Sequence, residues 1–306
     1  MKDYLIKIKL LSATGTPWHS DTIFGHLCWQ VAFGALRMNI EDFLRPFKNG
    51  KPPFVLSDGF PEGLMPIPLI KANRAEAPDR VSYRLMKRQK KAPFCSVTDF
   101  LKICRGETNS FQPIDNPWKS AITAHASLDR NTSTTGEKGE GGFYETESSF
   151  LESNRPEANA NVDVYLRCES EWLDEVRLLF ELMARSGYGR DKTTGLGVIE
   201  INSIDPFEEF GELKNPNGFV SLSSMVPAAD DPIDARIRTR TKYGKIGEGI
   251  QINPFKRPLI QIEPGAVFCT GDKPKEYYGR IVVNIAPGNP EVIQNCYALA
   301  APCVIS

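Results

Sequence analysis

The chain has only three histidines, His19, His26 and His125, and none of its seven cysteines stands in a CxxC pair. No zinc spacing is recognisable in such a set. The scattered cysteines, Cys28, Cys95, Cys104, Cys168, Cys269, Cys296 and Cys303, read as reduced, small apolar core residues. No apolar run approaches the roughly 18 residues that cross a bilayer, so no membrane partner is expected. Met1-Lys2-Asp3-Tyr4 enters a strand pattern at once, without a signal peptide, and the expected location is cytoplasmic. Net charge is lacking as well: 37 Lys and Arg against 38 Asp and Glu leave a formal -1. That argues against polyanion binding by the whole surface and leaves room for a local basic track. Asp205, Glu208 and Glu209 cluster in an acidic turn with no histidine near them in sequence, which gives a metal or small-molecule enzyme little support.

What is present is a soluble composition, 41% hydrophobic and 25% charged over 306 residues, long enough for one large domain or two ordinary ones. The densest chemical signal is the stretch Arg185 to Gly197. Gly187, Gly189, Gly195 and Gly197 permit close backbone approach, while Arg185, Arg190 and Lys192 supply charge and donors, which suits an anion. A mononucleotide site is excluded by order and spacing. Phosphate loops run from strand through glycines to a helix N-terminus. Here the helix comes first, and Asp191 precedes Lys192 where a glycine is needed. The stretch is either a track for a polynucleotide backbone or a solvated connector.

The surrounding pattern is strand and helix by turns. Tyr4, Ile6, Ile8 and Leu10 alternate with Lys7 and Lys9 as a half-buried strand. Ser20 or Asp21 can cap a helix carrying Ile23, Phe24, Leu27, Cys28 and Val31 up to about Arg37. The motif returns with Val162, Val164, Leu166 and Cys168 on a strand, a Ser170 cap, and helix positions Leu173, Val176, Leu179, Phe180 and Met183. Val198 to Ile201 resumes a strand. These echoes predict an α+β protein on a ferredoxin-like plan, single or duplicated, with long insertions.

Four further segments bear on function. Residues 51–68 hold five prolines and should be extended, with at most edge strands. Residues 80–91 carry six cations, as a solvated helix face or an RNA contact. Residues 129–142 (DRNTSTTGEKGEGG) have almost no apolar side chain and read as a hairpin or projecting loop. Arg236, Arg238, Arg240 and Lys242 alternate along one segment. As a strand this segment points four cations to one face about every 6.8 Å, a polyanion contact.

Three motifs then resemble a known family. Ser20-Asp21-Thr22-Ile23-Phe24-Gly25-His26-Leu27-Cys28-Trp29 resembles the first helix of RAMP-superfamily (repeat-associated mysterious protein) CRISPR subunits. Gly187 to Gly197 resembles that superfamily's glycine-rich loop. His125-Ala126-Ser127-Leu128-Asp129-Arg130 and Gly142-Phe143-Tyr144-Glu145 resemble the central region of the type III-A (Csm) effector subunit that caps the 5′ end of the guide RNA. The resemblance covers residues 20–197, and the last hundred residues match less distinctly.

The resemblance implies an α+β fold of two ferredoxin-like (RRM-like) RAMP domains, residues 1–155 and 156–306, with long insertions and a projecting loop, and a binding protein without cofactor. It implies three partners: the 5′ repeat-derived tag of CRISPR RNA, a large polymerase-type subunit, and a backbone RAMP subunit. Carried over by position, Gly187, Tyr188, Gly189, Arg190, Lys192 and Thr193 would cradle RNA, with Tyr188 available for base stacking. Arg130 and Lys138 would sit on or near a thumb-like loop. Arg236, Arg238, Arg240 and Lys242 are added from strand periodicity. The rival reading is a metal-independent CRISPR RNA-processing endoribonuclease using His19 or His26 as acid or base.

Overall fold

The computed structural model describes residues 1–70, 80–107, 111–127, 142–152, 160–211, 213–247 and 254–305. The chain opens with β1 (Lys2–Leu10), α1 (Ser20–Ala32), α2 (Ile40–Lys48) and β2 (Phe54–Pro61). An insertion follows: β3 (Leu64–Pro66), α3 (Arg80–Lys91), β4 (Phe94–Ser96), α4 (Val97–Cys104), and the hairpin of β5 (Trp118–Ala126) and β6 (Phe143–Leu151). The second strand-helix-strand run is β7 (Asn161–Cys168), α5 (Leu173–Ser186) and β8 (Ile199–Pro206). After it come β9 (Gly218–Ser221), β10 (Ala235–Arg236), β11 (Thr239–Lys242), β12 (Leu259–Ile262), β13 (Val267–Cys269), β14 (Tyr277–Val282) and β15 (Gln294–Cys303).

The alternation in β1 buries Tyr4, Ile6, Ile8 and Leu10, as the period of two requires. The helical spacing in α1 and α5 likewise buries Ile23, Phe24, Leu27 and Val31, and Val176, Leu179, Phe180 and Met183. These faces meet one antiparallel sheet of order β2-β7-β1-β8, with Ile6 opposite both Val164 and Ile204. A helix after the first strand and another after the third give the β-α-β-β-α-β, ferredoxin-like plan.

That topology corrects the expected division of the chain. The strand after residue 160 does not start a second domain, because β7 inserts between β2 and β1. The 155/156 boundary therefore falls inside a single sheet. The two echoing halves are the two halves of one ferredoxin-like unit, residues 2–206. The remainder forms a five-stranded antiparallel sheet, β10-β13-β9-β15-β14, and a two-stranded pair, β11-β12, and no α-helix follows Ser186 among the described residues. Both sheets feed one core, in which Ile6 and Val164 share a cluster with Val220, Leu222, Leu299 and Ala301.

Local details also differ. α1 ends at Ala32, and its N-cap is His19, which makes no side-chain cap bond. The cap comes from across the sheet, where Asp58 Oδ1 accepts from the Ser20 N–H at 2.9 Å. Asp58 lies at a register shift in β2, an edge strand as its proline-rich flanks suggested. Ser170 opens a short 3₁₀ turn, and α5 begins at Leu173. In α3, Arg84, Lys87 and Arg88 are exposed, and Arg88 meets Asp115 at 3.0 Å, the arrangement of a solvated helix face.

Asp58 also accepts from the Ser224 N–H at 2.9 Å and lies 3.6 Å from Arg240, so one buried carboxylate joins β2 to α1, to β11 and to the segment that follows β9. Removing it strands two amides and a cation. Asp58→Ala is expected to lower stability by about 3–5 kcal/mol in a urea titration followed by tryptophan fluorescence. A loss below about 1 kcal/mol would mean that solvent replaces these bonds at little cost.

Candidate nucleic-acid interface

The glycine-rich stretch is a folded loop with most of its polar backbone used internally. Gly187 leaves α5 at φ 80°, which lets the next side chain turn back into the protein. Tyr188 is 0% exposed, its ring stacked on Trp18 at 3.8 Å and its hydroxyl donating to Pro17 O at 2.8 Å. Tyr188 is therefore a plug and not a stacking platform for a base, which corrects the expected role. The Tyr188 N–H donates to Gly197 O and the Gly197 N–H to Ala13 O, each at 2.8 Å.

The glycines answer to these contacts. A Cβ on Gly197 would lie 1.8 Å from Tyr188 O, and one on Gly189 would lie 2.9 Å from Thr16 Cβ. Gly189 gives its N–H to His26 Nε2 at 2.9 Å. Arg190 donates from Nε to Gly15 O at 2.7 Å and from its guanidinium to Glu147 O on β6, so its side chain braces the loop while staying half-exposed. What remains open is the tip: Lys192, Thr193 and Thr194 form an exposed 3₁₀ turn. Its leading N–H groups receive no cap from the side chain of Asp191.

Beside this tip runs a stripe of α1 that the sequence reading missed. Thr22, Gly25, His26 and Trp29 recur at helical spacing and are all only partly buried, while Ile23, Phe24 and Leu27 face the core. The glycine loop borders the stripe through Gly189 and Lys192, the latter close enough to disfavour a charge on His26. On the other border, Lys242 Nζ bonds Thr22 Oγ1 at 2.8 Å, and Gly247 crosses so near Trp29 that a Cβ there would lie 2.3 Å from its ring. A Cβ on Gly25 would meet nothing within 4 Å. An interior helical glycine costs roughly 1 kcal/mol relative to alanine, so a glycine in the middle of the helical pattern was the available sequence signal.

The basic column is broken. Arg236 ends β10, Arg238 lies between strands, and β11 carries Arg240 and Lys242 inward. Lys242 pairs with Asp21, which is fully buried and also accepts from Gln261 at 2.8 Å and Gln294 at 2.6 Å. Burial alone would raise the Asp21 carboxyl, but the Lys242 charge and hydrogen bond overcome it and hold the group at about 2. Arg240 meets Asp58 and Ser224. The acids missing from residues 235–247 are supplied by α1 and β2, so these two cations are structural, and Arg236 and Arg238 stay on the exposed side.

The two histidines of the rival reading sit in separate surroundings. Burial lowers His19 to about 4 against the opposing pull of Asp58, and burial with Lys192 lowers His26 to about 4. His125 stacks on Tyr144 in the β5–β6 hairpin and bonds Thr146 Oγ1 at 2.9 Å. Arg130 and Lys138 lie outside the described residues, between these two strands. Among the described residues no group of acidic, histidine or cysteine side chains is placed to hold a metal. No described helix is long and apolar enough to cross a membrane.

Solved structures share this architecture. The chain matches one from a Csm1–Csm4 cassette in complex with pppApA at TM-score 0.61 and 16% identity, over 99% of this chain and 98% of that one. This is the fold of Csm4. A Csm1–Csm4 cassette with cA3 gives TM-score 0.62 at 15% identity over 100% and 98% of the chains. The Csm3–Csm4 subcomplex of a type III-A CRISPR-Cas interference complex gives 0.58 at 16% over 99% of both. No protein-family model matches the chain, and no curated protein does. The Csm4 likeness thus lies in the path of the chain from end to end, at low sequence identity.

If the glycines serve the loop's own packing, they should differ sharply in tolerance. Gly197→Ala drives a Cβ into Tyr188 O and should abolish soluble folding or lower the melting temperature by more than 10 °C. Gly195→Ala, at φ 97° but with open space, should cost only about 1–2 kcal/mol of backbone strain. Equal losses in thermal melts of the two variants would contradict this account.

Proposed function

We propose that the chain is the guide-RNA-holding subunit of a type III-A CRISPR effector complex. It holds the 5′ repeat-derived tag and docks a large polymerase-type subunit and a backbone subunit, as Csm4 assembles with Csm1 and Csm3 in the solved complexes. The observation that carries this reading is the end-to-end Csm4 likeness together with the open α1 stripe beside the loop tip.

Single-stranded RNA held on a fixed path is gripped through phosphates and 2′-hydroxyls. The stripe supplies what that grip needs. Lys192 gives an exposed charge, Thr193 gives a hydroxyl, and Gly25 leaves room for a backbone to approach. Trp29, partly buried and 5.4 Å from the exposed Phe33, offers an aromatic face in place of Tyr188. Arg236 and Arg238 extend the basic surface. With a formal charge of -1, affinity for RNA alone is weak, and partner subunits holding the same strand raise it by effective concentration.

The proposed role is binding without cleavage. Both histidines are held neutral by burial, and the Nε2 of His26 is already engaged. Arg190→Ala with Lys192→Ala should weaken binding of a tagged guide RNA and flatten its salt dependence, by about 0.7 in the log-log slope per lost phosphate contact. An unchanged slope removes the loop tip from the RNA path. Repeat-containing RNA incubated with the purified protein in EDTA should stay intact. Specific cleavage lost in His19→Ala or His26→Ala would replace this reading with the nuclease.

A further inference from the structure

His26 is the side chain whose hydrogen bonding is most narrowly determined. Its Nε2 accepts from the Gly189 N–H at 2.9 Å. A backbone amide can only donate, so Nε2 carries no proton, and the neutral ring keeps its single proton on Nδ1. That Nδ1–H has no hydrogen-bond partner among the described residues, and it is not one of the buried polar atoms left without one. His26 is only partly buried and shares the stripe with Thr22, Gly25 and Trp29, where space lies over Gly25. The ring is steadied by Tyr188 at 4.9 Å, itself clamped on Trp18 at 3.8 Å.

We propose that His26 is a positioning residue of the RNA surface. Its neutral Nδ1–H tautomer latches the glycine loop to α1 through Nε2 and presents the Nδ1–H to an acceptor oxygen of the bound strand. The donor arm rests on the RNA-holding reading above, and the latch does not. A neutral donor suits a ribose hydroxyl or a phosphate oxygen without adding to the salt dependence. Protonation would set one N–H against another at 2.9 Å and release the loop. Burial opposes that event, as does Lys192, the charged group acting on the ring from the loop. With the folded pKa lowered from 6.5 to about 4, the latch is whole near pH 7 and is lost as pH falls from about 6.5 through about 4.

Three substitutions in the full chain separate the two arms. His26→Gln places an amide oxygen near the Nε2 position and keeps the latch without the donor. His26→Asn places an amide nitrogen near Nδ1 and keeps the donor without the latch, and His26→Phe removes both. The probes are histidine ¹⁵N spectra, amide exchange at Gly189, and binding of single-stranded RNA bearing the tag. Wild type should show His26 protonated on Nδ1 at pH 7.5, and its Gly189 amide should exchange slowly until the pH falls below about 5. Gln should keep that slow exchange and lose about three- to tenfold in RNA affinity at an unchanged salt slope. Asn and Phe should speed Gly189 exchange.

A proton on Nε2, a charged ring at pH 7.5, or Gly189 exchange as fast in Gln as in Phe overturns the latch. Wild-type affinity in Gln overturns the donor arm. Absence of tagged-RNA binding by the wild-type chain, alone and with partner subunits, overturns the RNA-holding reading while the spectra still decide the latch.

Discussion

A single buried carboxylate, Asp58, fixes the relation between the first sheet, the first helix and the segments that carry Ser224 and Arg240. It caps α1 through Ser20, accepts from Ser224 beside the second sheet, and faces Arg240. An uncompensated buried charge is expensive, so the three elements satisfy Asp58 together or not at all. Asp21, the residue after Ser20, repeats the device, gathering Lys242, Gln261 and Gln294. The start of α1 is thereby anchored twice, and the stripe that follows on the same helix inherits its placement from those anchors.

Periodicity made the first unit legible. The apolar positions of β1, α1, β7 and α5 are the ones that the sequence assigns to strands and helices, and each is local information that survives without knowledge of the partner. Two identical-looking strand-helix runs do not say whether they make two sheets or interleave in one, because β7 reads the same wherever it pairs. The division at 155/156 failed on that ambiguity. The α1 cap failed for a related reason: Asp58 lies 38 residues beyond the amide it caps.

The functional residues divide along the same line. The glycine loop was found by composition, but composition cannot tell a glycine that admits a ligand from one that admits its own neighbours. Gly189 and Gly197 are of the second kind, whereas Gly25, which lies in a helix and outside the expected loop, has open space above it. Charge behaved likewise: Arg240 and Lys242 alternate as a solvent-facing column would, yet their partners come from α1 and β2. Tyr188 offered an aromatic ring in a glycine loop, and the fold spends it on Trp18.

The β5–β6 hairpin is joined to the body at its base, where Thr14 and Ser149 exchange two hydrogen bonds of 2.8 Å. Its paired strands of nine residues reach about 30 Å from end to end. Mechanically it is a lever with its fulcrum at Ser149. The carbonyl that Arg190 grips belongs to Glu147, two residues out along the arm. Any swing of the ribbon must drag or break that grip, so a torque applied far out on the hairpin arrives at the glycine loop as a pull on Arg190.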